Sequence, residues 1–320
     1  MIEAINKKKI LFFGIGFYDY EKVIKENLEK EEAIIDYINA WEKFPFYKLI
    51  VHISKNWQMK CLQKNLLKKI YSKAVEEYDF VFVIKGDVFN AEIVQVLRKS
   101  QPKAKFILYE WDSIKRNLGL LNIIKLFNSV FSFDFDDCEK YGFKYRALFA
   151  REVSVPSYEK DIDLFFLGWA HSNRIKMLNE IFQKYENSDK KIVLKILVGK
   201  IQYLKLLFNK SISKKFLKEC ILHNPLNYDE YLALLKRAKA VLDLCHPDQS
   251  GLTMRTIETV AMNNFLFTTN KNINKEKNID ITRYAIISGA DDIDLNASRK
   301  IETKIFPEYG TEQFLSELFR

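Results

Sequence analysis

Residues 239–270, KAVLDLCHPDQSGLTMRTIETVAMNNFLFTTN, read as a strand, a glycine-containing turn, a helix and a second strand. Ala240 to Leu244 is a short apolar run, Leu252 to Met262 has helical length, and Phe265 to Thr269 is again apolar and rich in β-formers. A right-handed crossover makes two such strands parallel. Polar side chains gather at the turn, which is where an α/β protein meets a phosphate-bearing ligand. Ser250 or Thr253 can cap the helix and Gly251 permits close backbone approach. The first-turn N–H groups have no partner within the helix, so an anion can satisfy them. Glu258 falls inside the helix, where its carboxylate can accept from vicinal hydroxyls such as those of a ribose; the plainer reading is a solvated helix glutamate.

The rest of the chain extends this pattern. Strand-like runs recur at Ile10 to Phe13, Leu49 to Ile53, Phe80 to Ile84, Phe106 to Tyr109, Val130 to Phe133 and Tyr145 to Phe149, with helical patterns between most of them. That alternation predicts a mostly parallel sheet covered on both faces. Pro156 and polar neighbours interrupt the pattern in residues 151–161, and the alternation then resumes with IDLFFLG, a helix from about Asn173, and IVLKILVG. The 320 residues therefore divide into an α/β domain over 1–156 and a second over 157–320. Gly14 and Gly16 follow the first strand, but GIGFYD lacks the third glycine of a dinucleotide fingerprint and reads as a tight turn.

The formal charge of +9 is spread over both halves rather than gathered in an arm or tail, and no recognisable nucleic-acid motif accompanies it. Cys61, Cys138, Cys220 and Cys245 form no CxxC pair and have no His at metal spacing, which indicates neither a zinc site nor a disulfide framework and suits a reducing cytoplasm. The N-terminal apolar run reads as a first strand, and no stretch approaches the roughly 20 apolar residues needed to span a bilayer. Residues 55–74, KNWQMKCLQKNLLKKIYSKA, place Met59, Leu62, Leu66, Ile70 and Ala74 on one helical face with lysines beside it. That face either packs on its own sheet or lies on an anionic membrane.

Cations and carboxylates stand at several strand ends. GWAHSNR puts Gly168 at the end of a strand and Arg174 at the start of the next helix, where an Arg can clamp diphosphate oxygens bidentately. Lys200 follows another strand end. Asp87 in VIKGD and Asp112 in FILYEWDS end strands of the first half; a carboxylate there can take a proton from a hydroxyl, and partial burial beside Tyr109 and Trp111 would raise its basicity. The alternative for Asp112 is a cap of the segment that begins at Ser113. Asp134, Asp136 and Asp137 invite a metal reading, although Asp136 and Asp137 more naturally open the helix toward Tyr141.

The string SGLTMRTIETVAMNNFLFTTN resembles the donor-binding signature of glycosyltransferases with the GT-B fold, and most resembles small bacterial enzymes of polysaccharide and lipopolysaccharide assembly. Aligned on Glu258, the first glutamate of the family's retaining members falls on Ser250, and the Gly after the helix is replaced by Asn263 and Asn264, which tolerate the left-handed backbone of a helix end. The resemblance implies two facing Rossmann-like domains, a last helix crossing back to the first, and transfer from a nucleotide-sugar donor to a saccharide or lipid-linked saccharide acceptor, with no metal or other cofactor. It assigns Ser250, Gly251, Leu252, Thr253, Arg255, Gly168, Arg174 and Lys200 to the diphosphate, Glu258 to the ribose, the loop at Asn224 and Leu226 to the base, and Asp112 or Asp87 to the acceptor hydroxyl. It also implies a cytoplasmic enzyme working at the inner face of the membrane, with no nucleic-acid partner. The alternatives are a nucleotide-sugar epimerase on the same scaffold and a non-catalytic sugar-nucleotide-binding or assembly protein.

Overall fold

The structure is a computed structural model and describes residues 2–16, 20–43, 47, 54–153, 159–170, 173–246, 248–297 and 301–320. The expected strand at Leu49 to Ile53 lies outside the described residues. The chain forms two compact units: Met1–Arg151 with Asp248–Gly251 and Gly310–Arg320, and Glu152–Pro247 with Leu252–Tyr309.

Unit 1 runs β1 (Lys9–Gly14), α1 (Tyr20–Lys30), β2 (Ile34–Asn39), α2 (Lys55–Lys73), β3 (Phe80–Ile84), α3 (Ala91–Ser100), β4 (Lys105–Glu110), β5 (Ser129–Ser132), α4 (Phe135–Tyr141) and β6 (Lys144–Tyr145). Its six strands are parallel in the order β2-β1-β3-β4-β5-β6. Alternation divides the central strands between two covers. Leu11, Phe13, Val81, Val83, Phe106 and Leu108 join the core formed with Leu62, Leu66 and Ile70 of α2 and Ile93, Val94 and Leu97 of α3. Phe82 and Tyr109 meet Phe319 and Phe314, with ring centroids 5.3 and 4.8 Å apart. The apolar face of α2 is therefore spent on its own sheet. β6 is shorter than the expected Tyr145 to Phe149: the chain leaves the sheet because Ala147 to Ala150 are buried, Phe149 packs at 4.7 Å on Phe314, and Ala150 bridges Gly310.

Unit 2 contains β7 (Ile162–Trp169), α5 (Arg174–Tyr185), β8 (Ile192–Leu197), α6 (Lys200–Leu207), α7 (Lys214–Cys220), β9 (Ile221–Leu222), α8 (Tyr228–Arg237), β10 (Ala238–Asp243), α9 (Met254–Ala261), β11 (Phe265–Thr268) and β12 (Tyr284–Ile286). The last helix, α10 (Thr311–Leu318), belongs to unit 1. The second sheet is also all parallel, in the order β12-β11-β10-β7-β8-β9. Counted within the unit this is 6-5-4-1-2-3, the Rossmann order, whose strand sequence reverses between β7 and β10. Leu164, Phe166, Leu242 and Phe267 pack with Leu178, Phe182 and Phe216 on one face, while Phe165 on the other meets the Tyr231 ring of α8 at 6.0 Å. The turn after α9 places Asn263 at φ 55, the left-handed conformation expected there.

Candidate functional site

Open α/β sheets bind ligands beyond the carboxyl ends of the strands at the point where strand order reverses. In unit 2 that point is flanked by the ends of β7 and β10, and two arginines occupy it. Arg174, at the start of α5, donates from Nε and Nη2 to the Leu244 carbonyl and from Nη1 to the Trp169 carbonyl at 3.0 Å. Arg255, in the first turn of α9, donates from Nη1 to Asp243 Oδ1 at 2.8 Å and from Nη2 to the Leu167 carbonyl. Its Nε is buried without an acceptor among the described residues. Both guanidinium groups lie over the Phe166 ring, 5.8 and 5.0 Å from its centroid. Burial and then the neighbouring Arg255 charge pull the Arg174 pKa down to about 10, so it stays cationic at neutral pH.

Gly168 separates the two arginines. A Cβ there would stand 3.0 Å from Arg255 Nη2 and 3.3 Å from Arg174 Nη1, so a larger residue would push the guanidinium groups aside. Asp243, fully buried, holds the floor of the site: besides Arg255 it accepts the Thr253 hydroxyl at 3.1 Å and the Thr256 hydroxyl at 2.6 Å. Thr253 is the N-cap of α9, accepting from Thr256 N, which settles the choice between it and Ser250. The backbone N–H groups of Met254 and Arg255 take no partner among the described residues. Two cations, one carboxylate and two open helix N–H groups make the switch point net positive and ready for an anion.

Ser250 and Gly251 have a different partner. Both backbone N–H groups donate to Asp134 Oδ2, at 2.9 and 3.2 Å, and the Ser250 hydroxyl donates to Asp134 Oδ1 at 2.6 Å. The donors expected to meet a diphosphate already hold a protein carboxylate. The close approach permitted by Gly251 is to Phe133, whose carbonyl and ring would lie 2.5 Å from an added Cβ. Leu252, buried beside them, offers no side-chain chemistry.

Glu258 is 2% exposed, which rules out a solvated helix glutamate. Tyr228 donates to its Oε1 at 2.9 Å and Tyr231 to its Oε2 at 2.8 Å. Burial and the Glu258 charge hold the Tyr231 phenol well above its ordinary pKa, so it stays a donor. Asn224 is exposed and Leu226 half-buried in the loop before α8, which Asn227 and Glu230 close as a reciprocal capping box. Lys200 opens α6, exposed and without an ion pair among the described residues.

In unit 1, Asp87 and Asp112 converge on one cation. Lys85 Nζ stands 3.5 Å from Asp87 Oδ2 and 3.1 Å from Asp112 Oδ2, and Trp41 Nε1 donates to Asp87 Oδ1 at 2.8 Å. Lys85 follows β3 with φ 67, a left-handed backbone uncommon for a side chain of this size. Burial opposes its charge, yet the two carboxylates raise its pKa. Burial pushes the Asp87 carboxyl upward against the pull of Lys85 and the Trp41 hydrogen bond. Asp112 also pairs with Arg116 at 3.0 Å, so two cations bracket its carboxylate. It is not a cap: the short turn Ile114–Arg116 has Ser113 as its N-cap and no side-chain cap bond. Beside it Glu110 is 1% exposed; Oε1 accepts from Asp112 N, while Oε2 is buried without a partner among the described residues.

The acids of residues 134–137 are occupied by the fold. Asp134 caps α4 through Asp137 N, and Asp137 accepts from Ile114 N at 2.7 Å. Glu21 accepts from Ile15 N and Gly16 N, placing an internal carboxylate where a nucleotide loop would hold phosphate; the rest of GIGFYD, residues 17–19, lies outside the described residues.

No protein-family profile and no curated protein matches the chain. Among solved structures it is similar to a glycosyltransferase from Rickettsia africae ESF-5, at 14% identity and TM-score 0.46 over 90% of this chain and 86% of that one. It is also similar to D-lactate dehydrogenase from Escherichia coli, at 10% identity and TM-score 0.26 over 82% and 73% of the two chains, and to Salmonella D-lactate dehydrogenase, at 12% and 0.22 over 82% and 70%.

Sequence reasoning passed over Lys85, Trp41, Asp243 and Tyr228, and weighed Asp134 only as a metal ligand. Asp243 alone carried a local signal, as an acid closing an otherwise apolar strand. Trp41 and Tyr228 find their partners 46 and 30 residues away, and Lys85 joins a near carboxylate, Asp87, to the distant Asp112.

Proposed function

We propose that the protein is a glycosyltransferase that takes a nucleotide-sugar donor at the switch point of unit 2. The observation that carries this reading is the pair Arg174 and Arg255 over Phe166, beside the open N–H groups of Met254 and Arg255. Such an array, net positive with open N–H donors, can stabilise a diphosphate leaving group without a divalent metal. The α9 N-terminus with Thr253, Arg255 and Arg174 would take the diphosphate, with Lys200 as an outer counter-charge. The Glu258 carboxylate would receive a ribose hydroxyl in the place that the Tyr228 hydroxyl holds here, and the loop at Asn224 and Leu226 would meet the base. In unit 1 Asp112 would accept the proton of the attacking hydroxyl, with Asp87 and Lys85 setting its electrostatics. A saccharide or lipid-linked saccharide of surface polysaccharide or lipopolysaccharide assembly is the acceptor class, and the inner face of the cytoplasmic membrane the workplace.

Calorimetry with nucleoside diphosphates tests the donor site. Arg174→Ala removes charge-assisted hydrogen bonds of about 1.5 to 3 kcal/mol, a ten- to hundredfold loss of affinity. Glu258→Gln should weaken a ribose donor more than a 2′,3′-dideoxyribose analogue, whereas Tyr228→Phe should not weaken either. Unchanged affinity in folded Arg174→Ala and Glu258→Gln would overturn the assignment. Asp112→Asn should cut turnover about a hundredfold or more with donor affinity unchanged; a wild-type rate would move the base to Asp87.

A further inference from the structure

Unit 2 carries an apolar face that its own core does not use. Residues 200–218, KIQYLKLLFNKSISKKFLK, hold six lysines and no acidic residue. α6 packs inward through Leu206, which is buried, and half-buried Tyr203. Ile201, Leu204 and Phe208 stand at i, i+3 and i+7, on one helical face, and are 75, 56 and 85% exposed; Leu207 widens the face at 47%. Isolated exposed apolar residues are ordinary, but three on one short helix and a fourth, Phe208, at its C-cap form a patch.

The surroundings say what kind of surface would cover it. All six lysines are exposed, and only Lys215 has an ion pair among the described residues, 3.5 Å from Glu186. Beside the patch a cleft of about 440 Å³ has Tyr203, Leu207 and Leu217 as apolar walls and Lys214 and Lys218 among its lining. A second copy of the same face would set lysine against lysine. An anionic bilayer satisfies both features at once, taking the apolar side chains below the headgroups and the lysines among the phosphates.

We propose that the α6 face and the lysines of residues 200–218 seat the protein on an anionic membrane surface. This moves the membrane contact from α2, whose Leu62, Leu66 and Ile70 are buried in unit 1, to unit 2. The proposal sharpens the membrane part of the proposed function and is independent of the transferase chemistry.

Cosedimentation with vesicles of phosphatidylcholine, with and without about one-third phosphatidylglycerol, tests it. The full chain should bind the anionic vesicles, and less so as salt rises. Leu204→Ser with Phe208→Ser should lower partitioning at least tenfold while circular dichroism stays that of the wild type, since both side chains lie outside the core. Lys205→Glu, Lys214→Glu and Lys218→Glu together should do the same, each reversal contributing several-fold. Lys60→Glu, Lys64→Glu and Lys68→Glu, on the exposed side of α2, should leave binding unchanged. Wild-type binding by the Leu204/Phe208 variant would overturn the α6 assignment while leaving membrane association standing. Wild-type protein that binds neither vesicle would overturn both. A wild-type dimer that the same variant turns into a monomer would give the face to a second copy and refute the proposal.

Discussion

Replacing Asp134 by alanine should cost unit 1 more stability than almost any other single substitution of a polar residue. The carboxylate is 1% exposed and receives four hydrogen bonds, from Asp137 N at 3.2 Å, Ser250 N at 2.9 Å, Ser250 Oγ at 2.6 Å and Gly251 N at 3.2 Å. The first caps α4, and losing a cap costs about 1 kcal/mol. The other three hold residues 250–251, at about 1.5 kcal/mol or more each when the acceptor is charged. Simple addition gives about 5.5 kcal/mol, and water entering the vacated space returns part of it, so about 3 to 5 kcal/mol is expected for Asp134→Ala. Asp134→Asn keeps one acceptor oxygen and should lose about half as much. Urea unfolding followed by tryptophan fluorescence reads the effect in the right place, because Trp41, Trp57 and Trp111 all lie in unit 1. Ser250→Ala, which loses the 2.6 Å bond and the one accepted from Asp136 N at 2.9 Å, should cost less than the sum when combined with Asp134→Ala. A loss below 1 kcal/mol for Asp134→Ala, or strict additivity with Ser250→Ala, would refute the idea that this carboxylate anchors the turn.

Gly251→Ala should destabilise by several kcal/mol, since its Cβ would meet the Phe133 carbonyl at 2.5 Å and backbone cannot swing away as a side chain can; a midpoint within experimental error of wild type would show that the turn relaxes freely. Burial holds the Glu110 carboxyl well above its usual range, against the single bond that it accepts from Asp112 N. The folded protein thus keeps a proton that the unfolded chain has lost above about pH 4.5, so Glu110's contribution to stability is complete below that pH and falls as pH rises toward the folded pKa. Glu110→Gln, a mimic of the protonated form, should flatten that fall, and its urea midpoint should gain on wild type steadily from pH 5 to 8; parallel curves would sink the assignment.

Most of the architecture was legible because central parallel strands are apolar on both faces. FVFVI of β3 and the apolar cores of β1, β4 and β10 announce themselves without alignment. The strands that were missed are those at sheet edges. β2, IIDYIN, buries only Ile38 fully and mixes polar with apolar residues, while β12 has three half-buried residues; neither contrasts with a loop. The site divides the same way. Arg174 and Arg255 were readable from position, since a cation beside a strand end or in the first turn of the following helix falls at the rim of the sheet. The partners of Glu258 and of Ser250 were not, because Tyr228, Tyr231 and Asp134 reach them from 27 to 116 residues away in sequence. Glu258 read as facing solvent or a ligand, and the two phenols that also bond it could not be seen in its own segment.

The return of residues 310–320 to unit 1 has a consequence for how the chain is made. Phe314 and Phe319 fill the face of the first sheet left open by α2 and α3, against Tyr109, Phe149, Phe80 and Phe82. While the ribosome is still adding unit 2, those aromatics lack the rings of Phe314 and Phe319, so residues 1–151 cannot complete this packing until residues 310–320 emerge. Domains usually mature in the order of synthesis. Here the nascent first unit must wait with part of its aromatic surface uncovered, and deleting residues 311–320 should disturb a sheet built more than 150 residues earlier in the chain.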